Sequence, residues 1–280
     1  MDRILIPKQP FMVELADSYL TYKLGKYGIS SFYFFEVSEN VSKIDTSVPD
    51  GCIDIIFHYK RDGSEVGADF YGTTLVPHDL KCYKGCCHFG VRFMLGIVPA
   101  ITDVYMKDIV DKVIPFEQLS KLKQLPYQIA QEKSFMDQIN FFVDVYVSEC
   151  CAQNRLNRED LNIYLIQQMV KRNGNITVEE MSEKLGYSVS YIEKSFKNTI
   201  GITPKKFSKI IRVQSLISVL NLMKNPDFDG TALAYDYGYY DQSHMIHEFK
   251  QFSTKAPGEY IENLNRVKYD SRLKVIHDDL

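Results

Sequence analysis

The stretch from Lys184 to Arg212 holds seven basic residues and one acid, Glu193, and so carries a charge of +6. Clustered cations of this kind can contact the phosphates of a nucleic acid. A solvated helix face is the ordinary alternative for a run of charge. The whole chain of 280 residues has a net charge of −3, which taken alone argues against a nucleic-acid partner. That average conceals an uneven distribution, because residues 1–160 carry −5 and residues 161–280 carry +2.

A second group with chemical potential is the segment Cys82–His88, in which Cys82, Cys86 and Cys87 precede a histidine. Its spacing does not match a C-x-x-C zinc site, and alternate residues of a strand point to opposite faces. We therefore expect buried thiols and no metal or other cofactor. A thiol- or metal-responsive regulator is the alternative that these cysteines leave open.

The composition is that of an ordinary folded protein, with 45% hydrophobic and 25% charged residues. The length predicts two domains. The chain has neither an apolar run long enough to cross a bilayer nor a signal-peptide pattern at its N-terminus, so a cytoplasmic protein without a membrane partner is expected. No G-x-S-x-G, phosphate-binding loop, dinucleotide-binding or H-E-x-x-H motif occurs, and we expect no enzymatic activity.

The elements that must position these residues differ between the two halves. Runs of β-branched and aromatic residues predict strands in the first half, at 31–37, 52–59, 68–71, 73–76 and 86–94. Helical spacing takes over after about residue 98, and Ser134–Cys151 is predicted to be an amphipathic helix. The expected N-terminal domain, residues 1–155, is thus β-rich and barrel-like (cupin-like) with a helical tail.

The second half is predicted to be all-helical. The polar stretch 152–160 is the linker candidate, and Leu161–Val170 is the first helix after it. Thr177-Val-Glu-Glu180 is a capping box that opens the next helix. The expected domain covers residues 156–265 and is followed by a tail at 266–280. The fold class is therefore α+β with two domains.

An internal repeat lies in this helical half. Met181 to Gly186 corresponds to Leu233 to Gly238 at an offset of 52 residues, with a small residue following Met181 and Leu233. After one inserted residue, the offset becomes 53, and the matched positions are Ser188 with Asp241, Phe196 with Phe249, and Pro204 with Pro257.

Each copy reads as a helix, a glycine turn and a capped second helix. Glycine supplies the positive φ of a sharp turn, and Ser188 and Asp241 are good helix caps. This order is that of a helix-turn-helix unit, whose second helix enters the major groove of DNA. Such helix pairs also occur in purely structural bundles. Two copies in register, the first strongly basic, favour the DNA-binding interpretation.

The chain resembles the AraC family of transcription regulators. The motifs are Gly186-Tyr-Ser188 through Phe207 and Gly238-Tyr-Tyr-Asp241 through Tyr260, within a resemblance that covers Leu161–Leu264. The resemblance implies an all-helical DNA-binding domain with two helix-turn-helix units, joined here by a long helix at Pro204–Met223. It also implies a bacterial, sequence-specific regulator whose partner is the major groove of double-stranded DNA.

The resemblance extends to the function of the N-terminal domain. Pro49–Phe57 and Gly90–Phe93 resemble an N-terminal domain type found fused to AraC-like domains. In this family the companion domain usually senses a small-molecule effector or mediates dimerisation. A homodimer is therefore expected, and contact with RNA polymerase if the protein is an activator. Some relatives are DNA-repair alkyl acceptors, but the four-cysteine zinc site and Pro-Cys-His acceptor that this alternative needs are not visible.

Carried over by position, the first recognition helix presents Ser190, Glu193 and Lys194 to the bases, with Lys197 near phosphate. Lys194 is suited to guanine. Glu193 is suited to cytosine N4, or is equally a surface carboxylate near Lys197 at i+4. The matching positions of the second helix are Gln242, Ser243, His244, Ile246, His247 and Lys250. Gln242 is suited to adenine, and His247 is either a DNA contact or a solvent-facing residue.

Two further expectations concern charge. Residues 236–265 carry −3, so we predict that the first unit supplies most of the DNA affinity. In the N-terminal half, Asp54 and Arg92 lie within apolar strands, where an unpaired charge is costly. They either orient an effector or pair with each other, and pairing is the favoured interpretation.

Overall fold

A computed structural model describes residues 7–38, 46–79, 83–102, 104–152 and 161–277. Cys82, most of the linker candidate at 152–160 and the expected domain boundary at 155/156 lie outside the described residues. The part of the chain before the linker is called the N-terminal region below, and the part after it the helical region. No described helix is both long enough and apolar enough to cross a membrane.

The N-terminal region opens with a short helix, α1 (Pro10–Glu14), and is built on β-strands. These strands are β1 (Tyr19–Lys26), β2 (Ile29–Glu36), β3 (Thr46–Ser47), β4 (Asp54–Tyr59), β5 (Gly67–Tyr71), β6 (His78–Asp79), β7 (Cys87–Phe93) and β8 (Val113–Pro115). The last strand of the chain, β9 (Leu273–Ile276), joins the same sheet. The order of the seven-stranded sheet is β8-β5-β4-β7-β2-β1-β9, and β3 pairs with β6.

The strand predictions are confirmed for β2, β4, β5 and β7, whereas β1 had not been predicted. The predicted strand at 73–76 is wrong, because the chain leaves the sheet after β5. Gly72 there lies so close to the Ile109 carbonyl that a Cβ would not fit. The α+β class is confirmed, but the described strands form an open sheet and not a closed barrel.

Helices cover one face of this sheet. They are α2 (Phe116–Leu119), α3 (Leu125–Gln131) and α4 (Phe135–Ala152), preceded by a 3₁₀ turn at Met106–Asp108. The amphipathic helix predicted at Ser134–Cys151 is confirmed as α4. Its Phe142 makes edge contacts with Phe32 and Phe57 of the sheet, at ring-centroid distances of 5.9 and 6.0 Å.

The helical region contains α5 (Leu161–Lys171), α6 (Val178–Leu185), α7 (Val189–Ile200), α8 (Pro204–Leu220), α9 (Gly230–Asp236), α10 (Gln242–Ser253), α11 (Pro257–Arg266) and α12 (Tyr269–Arg272). We call α6 and α7 the first unit, and α9 and α10 the second unit. The joining helix α8 ends three residues before the predicted Met223.

The two regions share their hydrophobic cores. One core combines Phe89 of the sheet with Phe196 of the first unit. A second core combines Phe11 of α1 with Phe249 of the second unit. At the chain end, β9 pairs in parallel with β1, from Tyr19↔Leu273 to Tyr22↔Ile276. The stretch expected to be a tail thus contains α12 and an edge strand, and both units are fixed to the N-terminal region.

Candidate DNA-binding surface

The first unit has the turn and caps that its sequence predicts. The capping box is formed, because the Thr177 Oγ1 accepts from the Glu180 N–H at 3.1 Å and a Glu180 carboxylate oxygen accepts from the Thr177 N–H at 2.8 Å. Helix α6 ends at Gly186, whose φ of 73° is left-handed. Ser188 then caps α7 by accepting from the Tyr191 N–H at 3.2 Å.

The second unit repeats this construction. Asp229 caps α9 by accepting from two backbone N–H groups, and Gly238 has a φ of 72°. Asp241 caps α10 by accepting from the His244 N–H at 2.7 Å. The inserted residue lengthens the turn by placing two tyrosines before this cap, Tyr239 buried and Tyr240 exposed.

The recognition face of α7 is free. Its buried side is formed by Ile192, Phe196 and Ile200. The four residues predicted to face DNA are all exposed, namely Ser190, Glu193, Lys194 and Lys197. Within the described residues their side chains make no hydrogen bond or ion pair, and Glu193 is not paired with Lys197. The polar atoms of this face are available to a ligand.

The recognition face of α10 is exposed but already engaged within the protein. The Gln242 side chain lies against Gly230 at the start of α9. His244 receives a long hydrogen bond of 3.5 Å from the Tyr240 N–H, and His247 and Gln251 pair at 2.9 Å. The other predicted positions are Ser243 and Lys250, which are exposed, and Ile246, which is half-buried.

A buried ion pair holds the second recognition helix against α8. Arg212 donates to both carboxylate oxygens of Glu248 at 2.8 Å, and the Lys209 Nζ lies 3.4 Å from the same carboxylate. The Arg212 guanidinium also lies over the Tyr239 ring, with its Cζ 4.6 Å from the ring centroid. Burial and the nearby Glu248 carboxylate raise the pKa of Tyr239.

This pair changes the charge argument made from the sequence. Lys209 and Arg212 were counted as part of a basic surface, but both are bound to Glu248. Setting these three residues aside leaves +4 for the stretch 184–212 and −2 for 236–265. The difference between the units is smaller than the sequence predicts, and its sign is unchanged. The sequence could have indicated that Glu248 is buried. It lies beside Phe249 and three residues after Met245, which places it on the buried face of α10.

Asp54 and Arg92, the weak effector candidates, lie side by side in the sheet and form a bidentate ion pair. The two hydrogen bonds measure 3.0 and 2.9 Å, and Asp50 accepts a further contact from Arg92 at 3.1 Å. Burial raises the pKa of Asp54, and the nearby Arg92 opposes that shift. The adjoining cavity is about 30 Å³, which holds about one water molecule. This geometry agrees with the interpretation that Asp54 and Arg92 pair with each other.

Most of the described cysteines are buried. Cys52, Cys86, Cys87 and Cys150 are buried, and Cys151 is exposed. Burial raises the pKa of Cys52 and raises that of Cys87 to about 11, so both are protonated thiols at neutral pH. Among the described residues no group of three or more potential ligands is arranged to hold a metal ion.

Gln214, which the sequence did not single out, connects the N-terminal region to α8. Its side chain is fully buried and accepts from the Lys8 N–H at 2.8 Å. It also donates to the carbonyls of Lys8 and Pro49, at 3.3 and 3.0 Å. The helix that joins the two units is thereby bonded at its middle to the N-terminal region.

Two capped helix pairs in tandem, each exposing its second helix, are the arrangement of helix-turn-helix DNA-binding proteins. Residues 181–263 match the family described as a helix-turn-helix domain, and residues 26–115 match a domain of unknown function, DUF6597. The resemblance stated from the sequence is thus confirmed for the domain: the chain carries an AraC-type helix-turn-helix domain, and it is similar to proteins named as transcription regulators.

Individual proteins were also found to be similar. An uncharacterized HTH-type transcriptional regulator of Haemophilus influenzae is 24% identical over 197 residues, which are 67% of this chain and 64% of that protein. The probable transcription factor PqrA of Proteus vulgaris is 24% identical over 98 residues, 35% of this chain and 78% of that protein. A structure of ToxT from Vibrio cholerae has 14% identity and a TM-score of 0.45, covering 88% of this chain and 98% of that one.

Proposed function

We propose that the protein binds specific DNA sequences through both units and thereby regulates transcription. The observation that carries this proposal is the exposed, unengaged polar face of α7 in a capped unit that occurs twice. In this proposal α7 and α10 enter successive segments of the major groove. Lys194 and Glu193 read bases there, and Lys197 contacts phosphate. From the second unit, Gln242, Ser243, His244, His247 and Lys250 make the corresponding contacts.

The test is selection of bound duplexes from a random pool, followed by footprinting on the source genome. Selection of one site with two recognised segments about one helical turn apart is expected. The logarithm of the association constant should fall linearly with the logarithm of salt concentration, because phosphate contacts release counterions. A flat salt dependence, or no enrichment of any sequence, would contradict the proposal.

We further propose that the N-terminal region responds to a small-molecule effector and mediates homodimerisation. The supporting geometry is its contact with both units through the shared cores, together with its contacts to α8 through Gln214 and to the chain end through β9. A ligand there acts on DNA binding only if its affinity differs between the competent and incompetent arrangements. The cavity beside Arg92 is too small for an organic ligand, whereas a groove of about 720 Å³ runs beside α1 and Arg272.

A thermal-shift screen of the full chain, with DNA affinity as the second readout, tests this effector role. Sedimentation at several protein concentrations tests the dimer. We place the protein in the bacterial cytoplasm, where the chromosome is, without an enzymatic activity. If it is an activator, RNA polymerase is a further partner, and transcription from a footprinted promoter in a purified system would show that.

A further inference from the structure

Two exposed tyrosines occupy the same place in the two units. Tyr187 immediately precedes the Ser188 cap of α7, and Tyr240 immediately precedes the Asp241 cap of α10. Their exposed fractions are 45% and 83%. The other matched aromatics of the repeat, such as Phe196 and Phe249, are fully buried. The exposure of this one aromatic position is therefore a shared feature of the two units.

The structure holds these tyrosines in place without engaging their hydroxyls. The Tyr187 ring stacks on the Tyr191 ring with centroids 5.1 Å apart, and the Tyr187 carbonyl accepts from the Ser182 Oγ at 2.6 Å. The Tyr240 backbone N–H is directed to His244 of the next helix. Within the described residues neither hydroxyl has a hydrogen-bond partner.

The location of the two residues relates them to DNA. In a helix-turn-helix protein the N-terminal part of the recognition helix approaches the base edges. A residue just before that helix then lies at the edge of the groove, where the phosphates run. Tyrosine hydroxyls are among the side-chain groups that donate hydrogen bonds to phosphate oxygens in DNA complexes.

We propose that Tyr187 and Tyr240 are a matched pair of DNA contacts, each donating its hydroxyl to a phosphodiester oxygen beside the groove that its unit enters. This proposal rests on the proposed DNA-binding function. It adds one positioning contact per unit to the base-reading residues. Because the hydroxyl is neutral, its contact releases no counterion, unlike a contact made by lysine.

The variants Tyr187→Phe and Tyr240→Phe test this, since each removes a hydroxyl and keeps the ring. Tyr127→Phe, at a residue of α3 that is also exposed, is the matched control. Binding to the selected duplex is measured by titration at four salt concentrations. Each variant should weaken binding roughly tenfold and the double variant roughly 100-fold, which is the effect of losing one hydrogen bond to a charged group per site. The salt dependence should keep the wild-type slope.

The outcomes separate this proposal from the function on which it rests. If the wild-type protein does not bind the selected duplex, the proposed function fails. If wild type binds and the double phenylalanine variant binds equally well at every salt concentration, only the tyrosine contacts are refuted. A loss that appears with one base sequence and not with others would also refute them, since phosphate contacts are indifferent to sequence. Circular dichroism and thermal unfolding should be unchanged, because neither hydroxyl makes a hydrogen bond within the described residues.

Discussion

The first and second units share one scaffold and differ in how their recognition helices are held. Both have a capped first helix, a glycine turn and a capped second helix. On α7 the side chains of Ser190, Glu193, Lys194 and Lys197 make no hydrogen bond or ion pair within the described residues. On α10, Gln242, His244 and His247 already contact the protein, and Glu248 is locked to Arg212.

This difference indicates a division of labour. Free lysines on α7 give electrostatic affinity, because they can release counterions from the phosphates. Helix α10 is instead fixed in position by a buried ion pair to the joining helix. Because α10 is fixed, it sets the geometry of the two units relative to each other. Its side chains that already contact the protein must break those contacts before they can bind DNA.

The largest expected effect comes from breaking the anchor of α10. The variant Glu248→Ala leaves the largely buried guanidinium of Arg212 without its carboxylate, so the free energy of unfolding should fall by about 3 to 5 kcal/mol. Urea denaturation measures this change in the free energy of unfolding. Glu193→Ala on the exposed face of α7 is the control and should change stability by less than about 0.5 kcal/mol. Equal effects of the two variants would show that Glu248 does not anchor the helix.

Acid sensitivity is expected at a buried histidine of the sheet. His88 is buried, stacks on Phe35 at 4.8 Å and accepts from the Tyr83 N–H at 3.2 Å. Burial, reinforced by His58, lowers its pKa to about 4. The unfolded chain binds this proton below about pH 6.5. The contribution of neutral His88 to the free energy of unfolding should therefore be fully present above that pH. It should be lost as the pH decreases towards 4, by about 3 kcal/mol in total.

Unfolding free energies of wild type and His88→Gln at pH 7.0, 5.5 and 4.5 check this. The variant is less stable at pH 7.0 because a packed ring is lost, but its decline with acid should be shallower than that of wild type. Parallel declines would mean that His88 does not titrate differently in the folded and unfolded states.

Charge reversal tests the division of DNA affinity. The pair Lys194→Glu and Lys197→Glu should weaken binding to the selected duplex at least tenfold more than the pair His247→Glu and Lys250→Glu. Each lost phosphate contact should also make the plot of log K against log[salt] shallower by about 0.9. Titrations at several salt concentrations provide both numbers. Equal losses from the two pairs would refute the ordering of the units.

Much of the helical region could be predicted because its signals are local. The turn glycines, the caps at Ser188 and Asp241 and the buried stripe at Phe196 each depend on neighbours within a few residues. The exposed positions of α7 follow from that stripe. The repeat added an internal check, since both copies had to make structural sense in the same register.

The parts that were missed depend on distant neighbours. Arg212 and Glu248 are 36 residues apart, and only the packing of α10 on α8 brings them together. The strand β9 pairs with β1 across almost the whole chain, and Gln214 bonds to Lys8. Charge counting cannot distinguish a surface lysine from one bound to a buried carboxylate. For that reason the sequence overestimated the charge difference between the units.

The smallest expected effect distinguishes the ends of the two recognition helices. Both α7 and α10 end at a left-handed residue, Gly201 with φ 89° and Thr254 with φ 64°. A β-branched residue is strained in that region, whereas glycine is not. Thr254→Gly should therefore raise the free energy of unfolding by about 1 kcal/mol, with DNA affinity unchanged. Urea denaturation and the duplex titration measure the two quantities.

The reciprocal change at the first unit supplies the contrast. Gly201→Ala places a Cβ 2.6 Å from the Lys107 Cα, so it adds a backbone clash to the strain and should lower stability by more than about 1 kcal/mol. If Thr254→Gly has no effect, Thr254 is not strained and the two helix ends are equivalent. If both variants behave as expected, α7 ends without backbone strain and packs there against the N-terminal region. The end of α10 is then strained, and the position of α10 depends on the Arg212–Glu248 pair.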